Sequence, residues 1–153
     1  MFGISDYGAF AAAFVLLLFL PGPGNLALIS SASKGGLAGG LASVLGLLLG
    51  DQILLWLTVA GVAALLKTYP PLFMALQGLG AAYLAWLGYK MIMAKPGEGP
   101  SIQITPGHYF RETMFITLLN PKAIMFYIAF FPQFIDPLHH QGWITFAVMA
   151  LTI

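Results

Sequence analysis

In this chain the residues best placed to do chemistry are helix breakers and isolated charges rather than nucleophiles. Pro21, Gly22, Pro23, Gly24 and Asn25 interrupt the apolar run LFLPGPGNLALIS at its centre. Asn120, Pro121 and Lys122 interrupt a second run, LLNPKAIMFYIAFFPQF. Each proline lacks an N–H and clashes with the preceding turn, while glycine opens unusual backbone angles. Asn120-Pro121 is a natural helix start, with Asn as the cap and Pro at the first helical position. After each break a half-helix begins, and its free N–H groups and positive dipole end suit an anion such as a carboxylate.

Two charges lie in apolar surroundings, Asp51 in LLLGDQILLW and Lys122 directly after the second break. At the centre of a membrane helix each costs about 2.5–3.5 kcal/mol, so each needs a partner, water or a task. A structural Asp51–Lys122 ion pair is one reading. The sharper one makes Asp51 a titrating group for proton coupling, or the partner of a substrate ammonium. Other chemistry is poorly served. There is no cysteine, and His108, His139 and His140 lie in polar stretches without the spacing of a metal site, so neither metal nor cofactor is expected. Ser30, Ser31, Ser33 and Ser43 have no base partner except a distant Asp51, which leaves an intramembrane enzyme without its machinery. A net charge of +1 gives no field to attract nucleic acid.

The elements that position these residues follow from composition. Charged residues make up 7% of the 153, against about 25% in soluble domains, so the main solvent is the lipid bilayer. A bilayer crossing needs roughly 20 apolar residues. Five spans are begun, at 7–31, 36–66, 70–93, 112–131 and 143–153, in a single transmembrane domain over 1–153. A loop at 94–111 is the longest connection. The N-terminus carries Asp6 and no positive region, which reads as a retained span. Lys34, Lys90, Lys95 and Arg111 fall on one side if the spans alternate, which puts that loop in the cytoplasm and the N-terminus outside. The fifth span covers about 16 Å, half the hydrocarbon, so the expectation is a shortened copy of a six-span bundle.

The fold class expected is therefore an all-α integral membrane protein, a polytopic helical bundle. If three spans form a unit, the first and fourth occupy equivalent places in a 3+3 inverted repeat. Breaks at matching depth are then the sequence pointer to a midplane transport site. Two stripes of small residues, Gly39, Ser43, Gly46, Gly50 and Gly78, Ala81, Ala85, Gly88, serve packing within one chain or between copies of a homo-oligomer. Tyr83, Trp86, Tyr89 and Lys90 form an interfacial belt. Gln133 and Asp136 read as an ordinary polar helix end, with gate groups as the alternative.

At these residues the sequence resembles the lysine exporter and homoserine/threonine exporter family, the LysE-type translocators. The resemblance rests on PGPGN, SASKGGLAGGLASVLGLLLGD, GLGAAYLAWLGYKM and LLNPKAIMFYIAFFPQF, in the family's order. It implies about six spans and export of amino acids or their derivatives across the bacterial inner membrane, driven by the proton gradient. Pro21, Gly22, Pro23, Asp51, Asn120, Pro121 and Lys122 match its motif positions. The expectation is a secondary transporter working by alternating access, with a zwitterionic substrate at Gly22–Asn25, Asn120–Lys122 and Asp51. A passive channel, indifferent to the proton gradient, is the alternative. A non-transporting assembly subunit would leave the buried charges and paired breaks unexplained.

Overall fold

Both helix breaks fall where the prolines place them, and they share one backbone conformation. A computed structural model describes residues 3–93, 102–135 and 142–153, with backbone alone at 62–67, 70, 73 and 91. Helix α1, Tyr7–Phe19, starts under Asp6, whose carboxylate accepts from Ala9 N at 2.9 Å. It stops at Leu20, with φ −68° and ψ 110°. Asn120, ahead of the second break, has φ −75° and ψ 110°. Each of these residues precedes a proline, whose ring excludes the helical region for its predecessor.

Helix α2, Pro23–Thr68, divides at Gly36, where φ is 58° and ψ −147°. Its two arms, 23–35 and 37–68, fold back on each other. A Cβ added to Gly39 would lie 2.5 Å from the Ser31 carbonyl oxygen, and one added to Gly24 would touch Leu47 at 3.4 Å. The stretch SASKGG, expected as a polar interruption, is helical up to the glycines. Only the left-handed residue is needed for the reversal, and glycine adopts it without a Cβ penalty. Ser33 remains in the helix by bonding its hydroxyl to the Ile29 carbonyl at 2.8 Å.

Helix α3 runs from Pro70 to Met93, and Lys90 Nζ sits 4.8 Å from the Trp86 ring centroid. Helix α4, Tyr109–Leu118, presses into the second arm of α2. The first glycine stripe is what admits it: a Cβ on Gly46 would clash with Phe110 O, and one on Gly50 would meet Thr117 Cβ at 2.8 Å. Between them Ser43 and Thr113, both fully buried, share a 2.8 Å hydrogen bond. The second stripe behaves differently. Among the described residues nothing lies within 4 Å of a Cβ placed on Gly78 or Gly88, and it is Gly80 that receives a neighbour, Ala129.

Beyond Asn120 the chain forms α5, Pro121–Met125, then a π turn at Phe126–Phe130 and a 3-10 turn at Phe131–Phe134. The axis bends by 47° between α4 and this run. Pro132 removes the donor that an α-helix would aim at the Ile128 carbonyl, so regular winding ends there. Ser5 N donates to Phe134 O at 2.9 Å, and Ile4 pairs with Ile135. The chain's start is thereby tied to the end of the broken run. Helix α6, Trp143–Thr152, reaches the same region through Tyr7 and Thr152, whose hydroxyls are 3.0 Å apart. Phe10, Phe14, Leu55, Phe126, Tyr127, Phe131 and Met149 fill the common core.

The described residues are almost wholly helical. By length and composition the run Pro23–Gly61 is apolar enough to cross a bilayer, although it reverses at Gly36, and Tyr109–Leu118 with Pro121–Phe134 is a second if taken as one broken span. The outward surface is rich in large apolar side chains, among them Phe19, Leu37, Ile92, Leu119 and Leu151. Water would oppose such a surface and hydrocarbon accepts it.

Candidate functional site

Ending a helix inside an apolar bundle strands its last carbonyls, and that determines what gathers around Leu20. Pro21 and Pro23 bring no N–H to them. Leu20 N turns back to Leu16 O and Leu17 O, both at 3.2 Å, and the remaining donors come from side chains. Lys122 Nζ donates to Leu17 O at 3.1 Å and to Leu20 O at 2.6 Å. Asn25 Nδ2 donates to Leu18 O at 2.8 Å and to Leu20 O at 3.4 Å. The ammonium also sits where the dipole end of α1 is negative. Lys122 is 6% exposed, so these bonds replace water rather than supplement it.

The second break is capped as its sequence requires. Asn120 Oδ1 accepts from Lys122 N at 3.0 Å, and Pro121 takes the first helical position. The two breaks are in direct contact: a Cβ on Gly22 would lie 3.1 Å from both Cε and Nζ of Lys122. Glycine at 22 is what lets the lysine reach the end of α1.

Of the expected site residues, Gly24, Asn25, Asp51, Asn120 and Lys122 line one cavity, together with Thr117 and apolar side chains such as Phe14 and Leu47. Gly22 touches it through Lys122. Pro21 and Pro121 are exposed and Pro23 half-buried, so the prolines shape the backbone and do not line the space. The cavity measures about 30 Å³. That is room for about one or two waters and not for an amino acid, so this arrangement is closed.

Asp51 is buried, 7% exposed, on the opposite wall. It forms no ion pair with Lys122: the ammonium belongs to the α1 carbonyls, and the two charges feel each other only across the cavity. The neighbour of Asp51 is Tyr127, a residue the sequence reading did not single out. The Tyr127 hydroxyl interacts with the carboxylate electrostatically yet lies outside hydrogen-bond geometry, and it has no other partner. Thr117 is a second omission. Its Oγ1 is buried without a partner on the cavity wall. A polar side chain in an apolar span was the signal available for both.

Nearby, an apolar hollow of about 310 Å³ opens between α2, α3 and the run after Asn120, lined by Leu54, Leu57, Thr58, Leu76, Ile124 and Ile128. Gln133 bonds its own helix at Ala129 O, 2.8 Å, as an ordinary polar helix end. Asp136, Lys95, His139 and His140 lie outside the described residues. Lys34 binds Gln103 Oε1 and Ile104 O, both at 3.0 Å, which joins the turn of α2 to the segment before α4. Among the described residues no cluster of His, Asp and Glu could hold a metal ion.

The family model for LysE type translocators matches residues 15–153. An uncharacterised membrane protein of Pseudomonas aeruginosa is 36% identical over 99% of this chain and 74% of its own length. Leucine efflux proteins of Salmonella typhimurium and Klebsiella pneumoniae are each 35% identical over the same shares. No solved structure matches the chain. Two proline-broken helices meeting at a buried lysine and aspartate thus accompany a sequence match from the first span onward, and the chain is a membrane protein that belongs to the LysE type translocator family.

Proposed function

We propose that this protein exports amino acids or their derivatives across the bacterial inner membrane, coupled to protons, by alternating access. The observation that carries the reading is the meeting of the two breaks around one buried cavity that also holds Asp51 and Lys122. Paired interruptions of this kind are where secondary transporters bind substrate. The family match and the leucine efflux relatives support the same function. The closed cavity is one state of a cycle in which opening makes room for a zwitterion. The neighbouring apolar hollow suits an aliphatic side chain, in keeping with the relatives' names. The orientation that fits places the N-terminus outside and 94–111 in the cytoplasm.

Asp51 is the coupling group in this reading. Asp51→Asn is expected to abolish gradient-driven efflux while the protein remains in the membrane. Efflux of an amino-acid panel from cells, with and without an uncoupler, checks both parts. Wild-type efflux by the variant removes Asp51 from the mechanism. Efflux that ignores the uncoupler, beyond the substrate's own electrochemical drive, returns the passive channel.

A further inference from the structure

Three carbonyls, of Leu17, Leu18 and Leu20, crowd the end of α1, and a primary ammonium already sits among them. That ammonium is covalently part of the protein, as Lys122. We propose that the end of α1 is the receptor for the substrate's α-ammonium group, and that Lys122 occupies this receptor as an internal stand-in while the site is closed. The proposal rests on the export reading above and revises where the zwitterion's two charges go.

The chemistry runs as an exchange. The break leaves Leu17 O with a 3.2 Å bond from Leu20 N, and Leu18 O and Leu20 O with Asn25 Nδ2 at 2.8 and 3.4 Å, so Leu17 and Leu20 are weakly supplied and a cation suits them in a dry site. An ammonium is well matched, having three donors and a charge that suits the negative end of a helix. Lys122 uses two of those donors on Leu17 and Leu20. The Thr117 Oγ1, buried and unpartnered on the adjoining wall, is an acceptor or donor still unused. An incoming amino acid replaces one ammonium by another at these carbonyls. The displaced Lys122 then pairs with the carboxylate that arrived with it. Buried charge is conserved at each position, so the exchange avoids leaving an ion unpaired. A compound with an amine and no carboxylate strands Lys122, and one with a carboxylate and no amine leaves Leu17 O only the 3.2 Å bond from Leu20 N and Leu20 O only the 3.4 Å bond from Asn25. The site thereby selects zwitterions. Gly22 gives the lysine its passage, since any Cβ there would crowd Cε and Nζ at 3.1 Å.

The test uses the full chain in detergent, with methylammonium chloride as the probe and potassium chloride as the ionic control. Lys122→Ala removes the stand-in and leaves a space for the small amine. Lys122→Gln keeps one amide donor for Leu20 and guards against a loss of fold. Methylammonium is expected to raise the unfolding temperature of both variants by about 3 °C or more while leaving wild type unmoved. Its apparent affinity should be at least about tenfold tighter for the variants, because wild type carries a built-in competitor. Unchanged unfolding temperatures in the variants, or an equal rise in wild type, overturn the proposal. So does failure to recover either variant when the amine is present throughout, since the amine is then no replacement for the side chain. Amine rescue in a protein that exports nothing would keep the receptor and remove the export reading. Export without amine rescue would do the reverse.

Discussion

Lys122 is held by the failure of another helix. Its position after Asn120-Pro121 comes from its own chain, yet its ammonium is fixed by the carbonyls of Leu17 and Leu20, more than a hundred residues earlier. Asp51 faces it without touching it, and Tyr127 stands near Asp51 with a hydroxyl that forms no hydrogen bond. An unpartnered buried hydroxyl contributes little to stability, because its desolvation is not offset by a bond. Tyr127→Phe should therefore leave the unfolding midpoint within about 0.5 kcal/mol of wild type. If the hydroxyl orients Asp51 for coupling, the same variant loses gradient-driven efflux several-fold at equal membrane content. Unaltered efflux would reduce Tyr127 to core filling.

At the scale of elements, glycines divide by what faces them. Gly46 admits the backbone of α4 at Phe110, so even one methyl group must separate the helices. Small residues of this kind hold membrane helices together through close van der Waals contact. Gly46→Ala is expected to cost about 1–3 kcal/mol through overpacking. Gly78→Ala, with no described residue within 4 Å of the added methyl, should be neutral or slightly stabilising through better helix propensity. Denaturation of the two variants side by side checks the contrast, and equal stability would mean α4 does not seat in the stripe. Both stripes look alike in sequence. Only the partner helix makes one of them a seat.

For the whole molecule, the two ends of the bundle are marked by different clamps. Lys34 joins the α2 turn to Gln103 and Ile104 at one end, and Ser5 joins the N-terminus to Phe134 at the other. With no native cysteine, a single introduced one reports its side alone. In the orientation proposed, Ser5→Cys should react with a membrane-impermeant maleimide in intact cells. Gln103→Cys should react only after permeabilisation. The opposite pattern would invert the topology and overturn the proposed orientation.

Much of this protein is set by residue types acting locally. Low charge and long apolar runs demand lipid as solvent, and proline forces its predecessor out of the helical region, so both breaks and the Asn120 cap are legible without a structure. Gly36 was harder to see, since SASKGG has the composition of a loop and the helical bonding of its residues overrode it. Tertiary structure alone decided who satisfies the groups that the breaks set free. Side-chain donors are interchangeable in sequence but not in space: Lys122 bonds the α1 carbonyls rather than Asp51, close against Gly22. Thr117 and Tyr127 join the site for the same reason, as residues carried to one cavity by packing that no local pattern encodes.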